Sequence, residues 1–381
     1  MRRFSLCFLA FVALTITSGI SAADSPNIVL ILSDDQAWTD YGFMGHPDIK
    51  TPHLDELAKE SVVFPRGYVP TALCRPSLMT LITHGMTRGF PQRGGRHGDD
   101  GLKIGRAGME PVTSFVDEAV KQDKPFFLWY APFLPHTPHN PPERILARYR
   151  KDGRPITIAK YYAMCEWFDE TCGQLIDHLE EKGVRENTLI VYVCDNGWIQ
   201  NPEANGYAPR SKQTPYEGGI RTPIMYSWPG HLKSGIREEV VSSIDIVPTM
   251  LAAGGADIPK DLPGLNLLSN LGTGTRIDRD AIFGESFAHD IADIEDPEAS
   301  LLFRWCIQGR WKLLLTYDGE VNRYQSTHPR TEKRPQLFDL LADPAEKKNL
   351  AADNPEIVAR LAEKISDWYP VKKRKVLTKF E

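Results

Sequence analysis

Three short apolar runs constrain the fold of this chain more than any other feature. They span residues 27–33, 126–131 and 188–194, and they are rich in β-branched and aromatic side chains. Uninterrupted apolar runs of this length are typical of strands buried on both faces, as in a parallel sheet covered by helices. We therefore predict an α/β fold in which ligands bind at the carboxyl ends of the strands.

Acidic residues directly follow the first and third of these runs. Asp34 and Asp35 come after the first run, and Asp195 and Asn196 come after the third. Adjacent carboxylates repel each other strongly unless a cation lies between them. A set of oxygen ligands suits Ca²⁺ or Mg²⁺ rather than zinc. Either pair alone is equally typical of a solvated turn, but the two pairs together predict a divalent-ion site.

The second run leads into a loop that holds two histidines between prolines, Pro135-His136-Thr137-Pro138-His139. Histidines on a loop at the carboxyl end of a strand are candidates for anion contact or proton transfer. Surface histidines without a function would give the same local sequence.

Cys74 lies two residues before Pro76, a residue type that opens helices because its fixed φ and missing N–H cost nothing there. The following residues, 77–83, predict a short apolar helix with Cys74 at its N-terminus. Backbone N–H groups and the helix dipole favour an anion at that point. The position suits a reactive thiol or a group made from it, although a buried cysteine before an ordinary helix is the alternative.

The N-terminus has the pattern of a secretory signal peptide over residues 1–22. Arg2 and Arg3 precede an apolar run from Phe4 to Thr17, and Ser21-Ala22-Ala23 offers a cleavage site. The run is too short to span a membrane. We therefore expect an exported protein, periplasmic or extracellular, with no membrane span after cleavage.

Composition excludes other classes of protein. With 41% hydrophobic and 25% charged residues, the 381-residue chain is typical of a globular protein. Loss of the two arginines at the N-terminus changes the formal net charge from −5 to −7, and this mild acidity argues against a nucleic-acid partner. An odd number of cysteines remains, so at least one thiol is unpaired. Cys165 and Cys172, seven residues apart on a predicted helix, are expected in the core.

Two motifs resemble those of the formylglycine-dependent sulfatases of the alkaline phosphatase-like superfamily. Cys74, Pro76 and Ser77 match the Cys-x-Pro-Ser signature, and residues 211–223 match Lys-x-x-x-Tyr-Glu-Gly-Gly-x-Arg-x-Pro closely. The resemblance implies that a formylglycine-generating enzyme or an equivalent maturase oxidises Cys74 to formylglycine (3-oxoalanine). The hydrate of this aldehyde would be the nucleophile.

The resemblance also implies roles for the other candidate residues. One divalent ion, usually calcium, would be bound by Asp34, Asp35, Asp195, Asn196 and the modified Cys74. His136 and Lys212 would contact the sulfate group, Lys212 as a mobile point charge suited to an oxyanion. The match of His139 to the family is less close.

The chain departs from the family pattern at and after the cysteine motif. Leu78 occupies the position of the usual arginine, His84 that of a glycine, and no Gly-Lys-Trp motif is present. The comparison predicts that an internal segment carrying a helix, a strand and a catalytic lysine is missing at Thr83–His84.

The family fold is a large, mostly parallel sheet sandwiched by helices, followed by a small antiparallel sheet with a helix. We assign the catalytic domain to residues 23–275 and the C-terminal subdomain to residues 276–381. Within them we predict a helix from Pro52 capped by Thr51, a long helix over residues 158–183, a hairpin around Gly309 and a last helix over residues 355–368.

The predicted activity is hydrolysis of a sulfate monoester on a small aryl molecule or a glycan. Two alternatives stay open from the sequence. One is a phosphomonoester or phosphonate hydrolase on the same fold. The other is a catalytically impaired binding protein that keeps the ion but lacks the nucleophile.

Overall fold

A mixed sheet with helices on both faces forms the larger part of the structure. The computed structural model describes residues 25–83, 104–289, 293, 295–320, 332 and 334–376. The predicted signal peptide and His84 lie outside these residues. The strands of the first sheet are β1 (Asn27–Ser33), β2 (Val62–Tyr68), β3 (Phe127–Tyr130), β4 (Thr188–Cys194), β5 (Arg221–Ser227), β6 (Gly235–Ile236) and β7 (Val241–Ser242).

The order of strands in this sheet is β3-β1-β4-β5-β2-β6, and β7 also pairs with β2. β1 runs parallel to both β3 and β4, whereas β5 is antiparallel to β4 and β2. Asn27 aligns with Thr188 and Ser33 with Cys194, so the two predicted acidic pairs follow adjacent strands at the same level. The predicted α/β fold is confirmed.

The described helices are α1 (Pro52–Lys59), α2 (Cys74–Thr83), α3 (Glu110–Lys121), α4 (Glu143–Tyr149), α5 (Ile156–Glu181), α6 (Glu217–Ile220), α7 (Ile246–Ala253), α8 (Leu268–Thr273) and α9 (Pro355–Trp368). Helix α2 begins at Cys74 itself, three residues before the predicted start. None of the described helices is long and apolar enough to cross a membrane. All five described cysteines are free, with Cys165 and Cys172 buried in α5.

Alternate residues of β1 face opposite layers, as strand geometry requires. Val29 and Ile31 pack with α1, α3 and α5, whereas Leu30 and Leu32 pack with α2, α7 and α8. β1 and β4 are apolar along their whole length because helices cover both faces of the sheet.

The prediction of a buried strand is wrong for residues 126–131. Within the described residues β3 pairs only with β1 and forms the edge of the sheet, and Phe127 is 52% exposed. Beside it lies an open apolar groove of about 450 Å³. The groove is lined mainly by Ile28, Leu81, Phe127, Trp129, Val247 and Met250. Sequence alone could not tell this edge strand from a central one, because both are apolar.

A second, antiparallel sheet follows, made of β8 (Ile282–Phe287), β9 (Leu301–Gln308), β10 (Trp311–Thr316) and β11 (Gln336–Asp339) in the order β11-β10-β9-β8. The predicted hairpin joins β9 to β10 at Gly309, whose φ of 58° favours glycine. One face of this sheet packs against β2 and α6 through Trp305 and Phe338. The other face packs against α9 through Leu313 and Leu361.

The start of α1 shows where a local sequence pattern fails. Thr51 precedes the helix as predicted, but its hydroxyl donates to Asp55 instead of capping the helix. The backbone N–H groups of His53 and Leu54 donate to Asp169 of α5, at 3.2 and 2.7 Å. Burial raises the pKa of Asp169 to about 7, against the opposing effect of these two bonds. A carboxyl distant in sequence therefore supplies the cap.

We expect Asp169→Ala to lower the free energy of unfolding by about 2 kcal/mol, because two buried N–H groups lose their acceptor. The adjacent Glu170 forms an exposed bidentate pair with Arg144, so Glu170→Ala, as the control, should cost less than about 1 kcal/mol. Urea unfolding monitored by circular dichroism measures both. Equal losses in the two variants would contradict the assigned role of Asp169.

Candidate active site and metal centre

The two acidic pairs meet at the carboxyl edge of β1 and β4. The Asp35 backbone N–H donates to Asp195 Oδ1 at 3.1 Å, and Asn196 Nδ2 donates to Asp35 Oδ1 at 2.7 Å. All four residues of the two pairs are buried, whereas the fifth predicted ligand, Cys74, is partly exposed. Asp35 has a φ of 68°, a left-handed conformation that aspartate tolerates better than most residues. The parallel register of the strands thus brings together side chains that are 160 residues apart.

Each of these four residues keeps one buried oxygen without a hydrogen-bond partner. The atoms are Asp34 Oδ1, Asp35 Oδ2, Asp195 Oδ2 and Asn196 Oδ1. A buried acceptor without a donor costs free energy, and four such oxygens on neighbouring side chains are what a hard divalent cation requires. The residues present therefore fit a metal ion.

The charge of the cluster also fits a metal ion. Burial and the neighbouring Asp35 raise the pKa of Asp34 to about 6, and burial and the other two carboxylates raise the pKa of Asp195. Among the described lysines and arginines, only Lys212 forms an ion pair with these carboxylates, at 2.5 Å from Asp35 Oδ1. Three carboxylates thus face one ammonium, and a divalent cation would balance the remaining charge.

Lys212 reaches the cluster from the loop between β4 and α6. Arg210 and Gln213 on either side of it have φ angles of 61° and 64°. The Gln213 N–H donates to Ala72 O at 2.7 Å, which holds this loop against the residues preceding Cys74. Burial alone would lower the pKa of Lys212, but the carboxylates, Asp35 foremost, outweigh it and raise the pKa. Lys212 is therefore a permanent cation in the site.

Cys74, the first residue of α2, lies within the field of the same groups. Burial raises the pKa of its thiol to about 12, and Asp34, Asp35 and Asp195 add to this effect against Lys212. Without a cation in the cluster, these surroundings favour the neutral thiol over the thiolate.

The histidine loop joins the cluster because β3 is parallel to β1. Asp34 N donates to Leu134 O at 3.0 Å, and His136 Nε2 lies 3.4 Å from Asp35 Oδ2. The His136 Nδ1 atom contacts Thr137 O at 2.7 Å, which fits donation from Nδ1, and Nε2 faces the Asp35 carboxylate. Asp34, Asp35 and His136 offer ligand atoms within 4.8 Å of one another. His136, predicted as a sulfate contact, is therefore also close enough to be a metal ligand.

His139 lies near this cluster, next to the aromatic rings of Tyr161 and Trp198. Its Nε2 atom is buried and has no hydrogen-bond partner. Burial lowers the pKa of His139 to about 4, helped by His136, Arg106 and Lys160 and opposed by Asp35. At neutral pH this side chain is an uncharged imidazole with a free ring nitrogen.

Arg106 organises the histidine loop and was not singled out from the sequence. Its guanidinium donates to the carbonyl oxygens of Phe133, His136 and Pro138, and to the side chain of Asn140. Arginine has the fixed fork of donors that such a set of acceptors requires. No sequence signal identifies it, because Arg106 is one of several arginines in a Gly-rich stretch.

At position 78 the structure has an apolar contact where the resembling family has a guanidinium. Leu78 packs against the apolar core on the α7 and α8 side of the sheet. Arg75 is exposed, so it does not replace the missing charge. The predicted loss of an internal segment at Thr83–His84 stays a prediction.

Comparison with known proteins agrees with this geometry. A sequence model of the family described as sulfatase matches residues 26–88 and 100–256. The chain belongs to the sulfatase family. A second model, described as the C-terminal region of N-sulphoglucosamine sulphohydrolase, matches residues 210–369. The sulfatases to which the chain is related are sulfuric ester hydrolases.

Among individual relatives, human arylsulfatase A is 25% identical over 464 aligned residues, covering 91% of this chain and 88% of that protein. The alignment is longer than the 381-residue chain, so arylsulfatase A contains residues that this sulfatase lacks.

Two solved structures share the fold. Ps i-CgsB has a TM-score of 0.71 and 22% identity, over 90% of this chain and 92% of that one. The phosphonate monoester hydrolase of Agrobacterium radiobacter has a TM-score of 0.67 and 20% identity, over 90% and 95% of the two chains. The alkaline phosphatase-like fold is thereby confirmed.

The lowered pKa of His139 makes stability depend on pH. Its folded-state pKa of about 4 lies below the unfolded value of 6.5. The neutral ring therefore contributes stability above pH 6.5 that is lost as the pH falls to about 4. We measure the unfolding free energy of wild type and His139→Gln between pH 7 and pH 4. Over this range the value for wild type should fall by up to about 3 kcal/mol more than the value for the variant. Parallel curves for the two proteins would contradict the buried, neutral state of His139.

Proposed function

We propose that this sulfatase hydrolyses a sulfate monoester with formylglycine, formed from Cys74, as its nucleophile. The observation that carries the proposal is the cluster of buried oxygens on Asp34, Asp35, Asp195 and Asn196 beside Cys74. The hydrate of an aldehyde formed from Cys74 would bring hydroxyl oxygens to this oxygen-rich cluster. The maturase that oxidises Cys74 would be a separate protein, a formylglycine-generating enzyme or its equivalent.

We assign Ca²⁺ to the oxygen cluster. Asp34, Asp35, Asp195 and Asn196 would hold it together with the modified Cys74. Ca²⁺ takes six to eight oxygen ligands in flexible geometry, and Mg²⁺, which usually keeps several waters, is the alternative ion. When bound, the ion supplies positive charge against the nucleophile and the sulfate oxygens.

The other residues have complementary roles. One hydroxyl of the Cys74-derived hydrate attacks sulfur, and the ester oxygen leaves with a proton. Loss of the proton from the second hydroxyl re-forms the aldehyde and expels sulfate. Lys212 holds the sulfate oxygens as charge develops on them. His136 contacts the sulfate group or gives its proton to the leaving oxygen, and Asp35 or Asp195 assists proton transfer.

We base the proposed substrate class on proteins with the same fold. The related Ps i-CgsB has been crystallised with a neocarrahexaose. A sulfated glycan is therefore our proposed substrate, met outside the cytoplasm as the N-terminal pattern predicts. A phosphonate monoester hydrolase has the same fold, so phosphonate and phosphate monoesters are the alternative substrates. The ratio of kcat/KM for a sulfate ester to kcat/KM for the corresponding phosphate or phosphonate ester would decide between them.

Protein isolated from its native host should carry the aldehyde at Cys74 and hydrolyse 4-nitrophenyl sulfate. Mass spectrometry of the tryptic peptide 67–88, left intact at Arg75 because Pro76 follows, reads the modification. Cys74→Ala should lower kcat/KM by at least about 1,000-fold, since the nucleophile is lost. Cys172→Ala, a buried cysteine in α5, should keep the activity. An ordinary thiol at Cys74 in a protein with full activity would contradict the mechanism.

Calcium should stabilise the folded protein. With free ion at about 100 times the dissociation constant, binding contributes about 2.7 kcal/mol and raises the unfolding temperature. Asp34→Ala should abolish this shift. Asp40→Asn is the matched control, because Asp40 is buried nearby but is engaged by the Tyr161 hydroxyl at 2.6 Å. An unfolding temperature that responds to neither Ca²⁺ nor Mg²⁺ would exclude the assigned metal site.

A further inference from the structure

The loop that carries Lys212 is anchored to the second sheet on both sides of the lysine. Before it, Arg210 donates to the carbonyl oxygen of Glu346 at 2.6 Å and lies over the Tyr216 ring at 4.0 Å. After it, the Tyr216 hydroxyl donates to Gln336 Oε1 at 2.9 Å. Gln336 begins β11, and Glu346 lies in the turn after that strand. The second sheet therefore supports the path of this loop.

A fully buried lysine of β10 forms the centre of this contact. The Lys312 side chain is 0% exposed, and its Nζ lies 3.1 Å from Glu217 Oε1 and 2.8 Å from Glu346 Oε1. The approach to Glu346 is an ion pair without hydrogen-bond alignment. Glu346 Oε2 in turn accepts the Glu217 backbone N–H at 2.7 Å, at the start of α6. Glu217 also accepts the Tyr68 hydroxyl at 3.0 Å.

The start of α6 is in rigid contact with the Lys212 loop. A Cβ atom on Gly219 would lie 2.2 Å from Thr214 O and 2.5 Å from Ser211 O. A Cβ atom on Gly218 would lie 2.5 Å from Arg210 O. Backbones this close transmit displacement directly, because packed interiors have little free volume. Any movement of Glu217 therefore moves the residues that flank Lys212.

We propose that Lys312 is a positioning residue for Lys212. By pairing with Glu217 and Glu346 it holds α6, and through α6 it holds Lys212 at Asp35. The inference rests on the proposed role of Lys212 in holding the sulfate group. Stability alone does not call for this ion-paired group, because apolar side chains of similar volume in place of Lys312, Glu217 and Glu346 together would avoid the cost of burying charges.

The test is a double-mutant cycle with Lys312→Met and Lys212→Ala in the full-length, matured protein. Misplacement of Lys212 should lower kcat/KM for 4-nitrophenyl sulfate by about 10- to 100-fold in Lys312→Met. In the Lys212→Ala background the same change should cost less than about 2-fold, because the group it positions is absent. Hydrogen exchange of the segment 210–221 should become at least about 10-fold faster in Lys312→Met.

Leu313→Ala is the matched control, since Leu313 is the next residue of β10 and packs on the opposite face, against α9. It should lower the unfolding temperature but change neither kcat/KM nor exchange in 210–221. An equal loss of kcat/KM in both Lys212 backgrounds, or unchanged exchange of 210–221 in Lys312→Met, would overturn the proposal.

Two further outcomes can be told apart: a Lys312→Met variant that does not fold, and a wild-type protein without sulfatase activity. If Lys312→Met does not fold, Lys312→Met/Glu346→Gln removes one charge of each sign and keeps an acceptor for the Glu217 N–H, and the same criteria apply to it. If the wild-type protein hydrolyses no sulfate ester, the proposed function fails. The exchange measurement then still decides whether Lys312 holds the loop.

Discussion

The repulsion among three buried carboxylates is the constraint on which the rest of this structure depends. Asp34, Asp35 and Asp195 are placed together because β1 and β4 are parallel and in register. Taking such charges out of water is costly unless they are paired. Within the part of the chain that the structure describes, one ammonium, Lys212, pairs with them, and four oxygens of the cluster have no hydrogen-bond partner. Together these residues have the charge and the free oxygens that are needed to bind a cation.

Each element around the site can be understood as a means of bringing a further group to that cluster. The parallel pairing of β3 with β1 delivers the histidine loop, which Arg106 then organises through four acceptors. Helix α2 begins at Cys74, whose thiol lies within the electrostatic field of the carboxylates. The raised pKa of the thiol has the same origin as the raised pKa of Asp34, because both groups are buried beside negative charge.

The second sheet is part of the same arrangement. It packs on β2 and α6 through apolar side chains, but its contact with the Lys212 loop is polar and buried. Lys312 provides a buried cation for Glu217 and Glu346, and Glu217 is also paired with Arg221 at 3.5 Å. The second sheet thus supports the site through its contacts with α6.

The sequence by itself determined the fold class, the carboxylate and histidine positions, and the family motifs around Cys74 and Lys212. These are local patterns: apolar runs, the residues that end them, and fixed spacings. Only the tertiary structure decided that β3 is an edge strand, that Asp169 caps α1, and that Arg106 and Lys312 support the loops of the site. The reason is physical. Burial and pairing of a charged side chain depend on partners distant in the chain, and no local pattern records which carboxylate or carbonyl will face it.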